Sequence, residues 1–152
     1  MEKKPISMKN IHQKINQAMH DIKGVEKTQS GKAPYPTVKH EDLTKVVRPV
    51  FQKLGIVYYM TDMDVTREGN NTIAKFTLRL VNVDNPQDVL DVDTLGYGID
   101  NQDKGPGKAI SYGVKYALLK LLGLSGGEDS DNENVPAKSA TQRKIVDKFG
   151  SR

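Results

Sequence analysis

The chain has 152 residues, which at roughly 100–200 residues per domain allows one compact domain and a tail. Hydrophobic residues make up 36%, and 23 Lys/Arg against 19 Asp/Glu leave a net charge of +4, a mixed balance that permits an anionic partner without demanding one. The absence of cysteine excludes a disulfide framework, a thiolate zinc site and a cysteine nucleophile.

The opening Met1-Glu2-Lys3-Lys4-Pro5 is not followed by an apolar stretch, so no signal peptide is expected. No apolar run approaches the ~20 residues of a membrane span. These features predict a cytoplasmic protein. His12, His20 and His40 lack a second ligand at metal spacing. The cations are unevenly placed, with 11 Lys/Arg against 5 Asp/Glu in residues 1–55 and 7 against 9 in residues 56–124.

Ile11, Ile15, Ala18, Met19 and Ile22 form one apolar stripe and predict a helix over residues 8–23, with Gly24 as its stop. Residues 24–37 are rich in Gly, Pro and polar side chains and predict a loop bearing Lys27, Lys32 and Tyr35. Leu43, Val46, Val47, Val50, Phe51 and Leu54 predict a second helix over 41–54. Glu41 and Asp42 suit its start and Gly55 its end. Pro49 is expected to kink or split it.

From Ile56 the period changes to two. Strands are predicted over 56–65, 72–83 and 89–99, with turns at 67–71 and 84–88. Ala74, Phe76, Leu78 and Leu80 face one side, Lys75, Thr77 and Arg79 the other. The result is an antiparallel meander with one apolar and one wet face.

Asp100-Asn101-Gln102-Asp103-Lys104-Gly105 is a polar loop, and Pro106 is well placed at a helix start. A long helix is predicted over 106–122. Ile110, Val114, Ala117, Leu118 and Leu121 form the side that covers the sheet, and Lys108, Ser111, Tyr112 and Lys115 the exposed side. The fold class is therefore α+β: a three-stranded meander followed by a long helix (β-β-β-α), flanked by N-terminal helices. Residues 1–124 form the domain. Residues 125–152 are expected to be a mostly disordered tail that could hold a short helix at 140–149, where Ile145, Val146 and Phe149 restore an apolar pattern.

Gly96-Tyr97-Gly98 follows a strand but lacks the third glycine and the parallel sheet of a dinucleotide site. Gly105-Pro106-Gly107-Lys108 imitates a phosphate loop, but Ala109 stands where the magnesium-binding hydroxyl belongs. Asp62, Asp64, Asp88, Asp91, Asp93, Asp100 and Asp103 concentrate carboxylate. Alternation puts Asp62 with Asp64, and Asp91 with Asp93, on shared strand faces. This leaves a metal-dependent nuclease as an alternative to a solvated acidic surface.

The strongest functional signal is basic and aromatic. Lys104, Lys108, Tyr112 and Lys115 follow a loop and one helix face, and Lys75 and Arg79 lie on a strand. Cations tracking phosphates and aromatics stacking on bases hold single-stranded nucleic acid, each stacked base contributing ~1–3 kcal/mol. Tyr116 lies about 80° round the helix from Lys108 and reads as structural.

The stretch from Gly98 to Lys120, with its Asp103-Lys104 loop, Lys108-Ala109, Ser111-Tyr112, Lys115-Tyr116 and Leu118-Leu119, resembles the signature of the ERF (essential recombination function) family of phage single-strand annealing proteins, Sak-type proteins included. The loop with Lys32 and Tyr35, the helix ending in Leu54-Gly55-Ile56, and Gly127-Glu128-Asp129-Ser130-Asp131 extend the likeness over residues 8–131.

The resemblance implies a fold like the annealing domain of the eukaryotic Rad fifty-two mediator. It also implies a ring or helical filament, binding of single-stranded DNA, and annealing of complementary strands without ATP in a bacterial host. Lys104, Lys108 and Lys115 are expected to contact phosphate, with Lys75 and Arg79 on the sheet. Tyr112 stacks or packs, and Lys32 and Tyr35 contribute from the loop. No cofactor is expected, a non-catalytic divalent cation aside. A passive single-strand-binding protein is a further alternative. Edge strands left by a meander favour head-to-tail self-association, and the tail is a candidate for recruiting a single-strand-binding protein.

Overall fold

The computed structural model describes residues 8–29 and 36–126. The order is α1 (Ile11–Asp21), α2 (His40–Leu54), β1 (Ile56–Glu68), β2 (Asn71–Asn82), β3 (Asn85–Ile99) and α3 (Gly105–Leu121). This is the α+β, β-β-β-α arrangement with two helices in front.

Helix α1 is shorter than the predicted 8–23 because capping decides its ends. The Asn10 side chain accepts from the Gln13 N–H and the Gln13 side chain accepts from the Asn10 N–H, a reciprocal capping box. The chain turns extended at Ile22, before Gly24, yet Ile22 continues the buried row of Ile11, Ile15 and Ala18. Met19 stays exposed.

Helix α2 runs unbroken through Pro49, against the expected kink or split. Pro49 is exposed, so the bond it removes, to the Lys45 carbonyl, is lost on the wet side where water replaces it. The helix buries Leu43, Val47 and Phe51 and ends at Gly55, which takes the left-handed conformation (φ 70°).

Strands β1 and β3 are longer than predicted, β2 is shifted by one residue, and the turns are tighter. The sheet order is β1-β2-β3, antiparallel throughout. Two-residue turns at Gly69-Asn70 and Val83-Asp84 replace the expected turns at 67–71 and 84–88. Residues 85–88 instead belong to β3, in an irregular stretch between the pairs Asn82–Asn85 and Val81–Val89. Pro86 is tolerated there because β3 is an edge strand.

Strand β1 carries a bulge. Thr61 pairs with Thr77 and Asp64 with Lys75, so Asp62 and Met63 together oppose Phe76. Asp62 takes a left-handed conformation, φ 53°. The alternation used to place Asp62 and Asp64 on one face therefore breaks between them.

Helix α3 lies antiparallel to β3 at backbone contact. A Cβ at Gly96 would stand 1.8 Å from the Ala109 carbonyl oxygen, and one at Gly98 would stand 2.4 Å from that of Gly105. The two glycines therefore serve helix-to-strand packing, which accounts for the Gly96-Tyr97-Gly98 motif. The core runs from Ala74, Phe76, Leu78 and Leu80 through Ala109, Val114, Ala117 and Leu118 to the apolar rows of α1 and α2. Ala109, Gly113 and Leu119 are buried deeper than the predicted Ile110 and Leu121. Among the described residues, no helix is long and apolar enough to cross a membrane. The segment 140–149 lies outside the described residues.

Candidate nucleic-acid interface

The loop between β3 and α3 is built around Asp100. One of its carboxylate oxygens accepts from the Gln102 and Lys104 N–H groups, and its own N–H donates to the Asn70 carbonyl in the first hairpin turn. The other oxygen receives the Lys108 ammonium at 2.6 Å, which also donates to the Ile99 carbonyl at 3.1 Å. The Lys108 ammonium, and next the Gln102 N–H, hold the Asp100 carboxyl at a pKa of about 2.

Arg67 fastens the same loop from β1. Its guanidinium donates to the carbonyls of Gly69, Gln102 and Asp100. Arg67 was not among the sequence candidates, because nothing in its local sequence marks a strand-end arginine for a loop some 35 positions on. Arg67, Lys104 and Lys108 thus gather at one end of the sheet, with Lys104 exposed.

Farther along α3, Lys115 departs from expectation. It is not on an exposed side: only 8% of it is accessible. Its ammonium lies 4.9 Å from the Tyr112 ring centre and 5.4 Å from that of Tyr116. The two rings are 4.5 Å apart and tilted by 32°. The ring faces attract its charge. Tyr116 is therefore part of the same cluster as Tyr112.

Lys75 and Arg79 occupy the sheet face away from α3. Arg79 is committed to Asp91, its cross-strand partner, through two bonds of 2.7 Å. That pairing raises the pKa of the guanidinium and lowers that of the carboxylate. Lys75 is exposed opposite Asp64 and Leu95. Lys32 and Tyr35 lie outside the described residues.

A groove of about 740 Å³ beside α3, lined by residues of both sheet faces, brings Lys75 and Tyr112 into one lining, together with Phe76, Leu95, Tyr97 and Tyr116. It reaches neither Lys104 nor Lys108. The sequence candidates therefore occupy two places: the start of α3, and the tyrosine groove with the sheet beside it.

The acidic residues have local tasks. Asp88 accepts from the Asn82 amide and the Ile11 N–H, which lowers its pKa and anchors the start of α1. Asp91 holds Arg79, and Asp93 accepts from the Thr77 hydroxyl at 2.7 Å. Among the described residues no three His, Asp or Glu side chains gather as a metal site. A lysine the sequence reading passed over, Lys14, is buried and donates to Asp84 at 2.6 Å and to the Gly55 carbonyl. Its signal was available, since helical spacing places it on the row of Ile11, Ile15 and Ala18.

A three-stranded meander backed by a helix, with cations gathered at the helix start, defines a small β-β-β-α protein. The chain matches the family model of the ERF superfamily over residues 11–149 and belongs to that superfamily. Membership suggests a function in recombination and strand annealing. No curated protein matches the chain.

Proposed function

We propose that this chain binds single-stranded DNA and anneals complementary strands without ATP, as a recombination protein that performs no bond-breaking chemistry. The observation that carries the reading is the superfamily match over nearly the whole chain. The cations at the start of α3 support it. Lys104 is exposed and Lys108 half-exposed, on a loop that Arg67 and Asp100 hold in one shape. A pre-formed loop spends little ordering entropy when it meets phosphate.

Lys104 is the leading phosphate contact and Lys108 the second. Lys75 and Tyr112 offer a cation and a ring along the groove. Arg79 and Lys115 serve this purpose less, being held by Asp91 and by the tyrosine pair. Self-association fits the same reading, because β1 and β3 are the edge strands of the sheet among the described residues. No cofactor is needed, since pairing of complementary strands is itself downhill.

The test mixes complementary oligonucleotides with the protein in EDTA and without ATP. Faster pairing with strands of unchanged length is expected. Slowed pairing would point to a passive coat. Strand shortening that depends on magnesium or manganese would point to a nuclease.

A further inference from the structure

Arg67 fastens the loop between β3 and α3 without giving up its charge. The groups that accept from its guanidinium, the Gly69, Gln102 and Asp100 carbonyls, are all neutral. They take Nε and one N–H from each Nη, so two of its five N–H donors are left over. Among the described residues Arg67 forms no ion pair, whereas Arg79 is held by Asp91 and Lys108 by Asp100. Its side chain is exposed.

The register places that charge. Arg67 pairs with Thr72, and Thr72 with Gly98. This row faces α3, because a Cβ at Gly105 would run into the Thr72 hydroxyl and one at Gly98 into the Gly105 carbonyl. Arg67 therefore lies on the helix side of the sheet, level with the first turn of α3, where the exposed Lys104 is the N-cap. Strand alternation turns its neighbour Glu68 to the other face.

We propose that Arg67 is itself a phosphate contact. With Lys104 it forms the pair of cations free of carboxylate partners that grips a single-stranded backbone, where the first hairpin turn meets the start of α3. The inference rests on the single-strand-binding reading and refines it, ranking Arg67 ahead of Lys108. A guanidinium offers phosphate oxygens directed N–H donors as well as charge. The carbonyls already hold this one in place, so little side-chain freedom is lost when phosphate arrives.

The test is a salt titration of a labelled single-stranded oligonucleotide by fluorescence anisotropy. Arg67→Ala should make the slope of log K against log salt shallower by about 0.7, and weaken binding about fivefold at roughly 0.1 M salt. Arg67→Gln, a second neutral variant that can still donate to a carbonyl, should match it. Arg67→Lys keeps the charge but cannot reach all three carbonyls, and should keep the parental slope. All three should retain the parental helix signal. Parental slopes in the neutral variants overturn the proposal. So does a slope in Arg67→Lys as shallow as theirs, which makes Arg67 a positioning residue for the loop alone. A parent chain that binds no single strand overturns the annealing reading itself, and this contact with it.

Discussion

The Lys108 ammonium and the Asp100 carboxylate form a 2.6 Å pair in which the lysine side chain is 50% exposed and the aspartate 12%. The cation placed best by sequence to hold a phosphate is thus already held by a carboxylate. A phosphate must displace Asp100 or share Lys108 with it. Lys104, about one turn earlier at the N-cap of α3, is under no such restraint from an ion pair in the described structure.

Asp100→Asn keeps an acceptor for the Gln102 N–H and removes the negative charge. It should tighten single-strand binding and steepen its salt dependence, because Lys108 becomes available. The slope of log K against log salt should grow by about 0.7, the value for one added phosphate contact on a single strand. Lys104→Ala should reduce it by a similar amount. A salt titration that returns parental slopes for both variants would place the DNA elsewhere.

Acid stability follows from the same carboxylate. Its folded pKa of about 2 lies below the ordinary Asp value of about 3.9. The contribution is therefore complete above pH 4 or so and is lost as pH falls toward 2. Asp88 and Asp91 are also held low and act in the same direction. Urea midpoints should drop across that window, and Asp100→Asn should make the drop shallower. A parental acid limb in that variant would remove Asp100 from the account.

Two glycines nearby should respond with opposite signs. Gly96→Ala drives a methyl into the Ala109 carbonyl and should cost about 1–3 kcal/mol, as overpacking does. Gly107→Ala meets nothing within 4 Å and sits in the first turns of α3, so it should gain up to about 1 kcal/mol of helix propensity. Denaturant unfolding of the pair measures both. Equal effects would mean that α3 does not lie on β3 at backbone distance.

The bulge has its own signature. Asp62 holds φ 53°, a conformation that a β-branched residue adopts only under strain. Asp62→Val should lower stability by about 1–2 kcal/mol, and Asp62→Gly should stay within about 0.5 kcal/mol of the parent. Thermal unfolding at matched concentration decides. A neutral valine would argue for regular pairing through residues 61–64.

Element types and order were legible because the apolar period changes from 3.6 to 2 at Ile56 and back after Gly105. Element ends were not. Asn10 and Gln13 close α1 by mutual hydrogen bonds, and periodicity carries no sign of that. The polar run 84–88 reads as a turn, yet most of it continues an edge strand, where proline and asparagine lose little. At the site, sequence supplies charges but not what covers or claims them. Lys115 lies against two tyrosine rings, Arg79 is taken by Asp91 across the sheet, and Lys108 by Asp100 eight residues back. Lys104 and Lys75 kept the exposure expected of them.

The contact of α3 with β3 through Gly96 and Gly98 also has a mechanical side. No side chains lie between helix and strand at those points, so no rotamer change can absorb a displacement there. Helix and sheet should move as one stiff body. A load applied at Lys104 passes directly into the ladder of β3 and β2, and any give in the molecule must be found elsewhere.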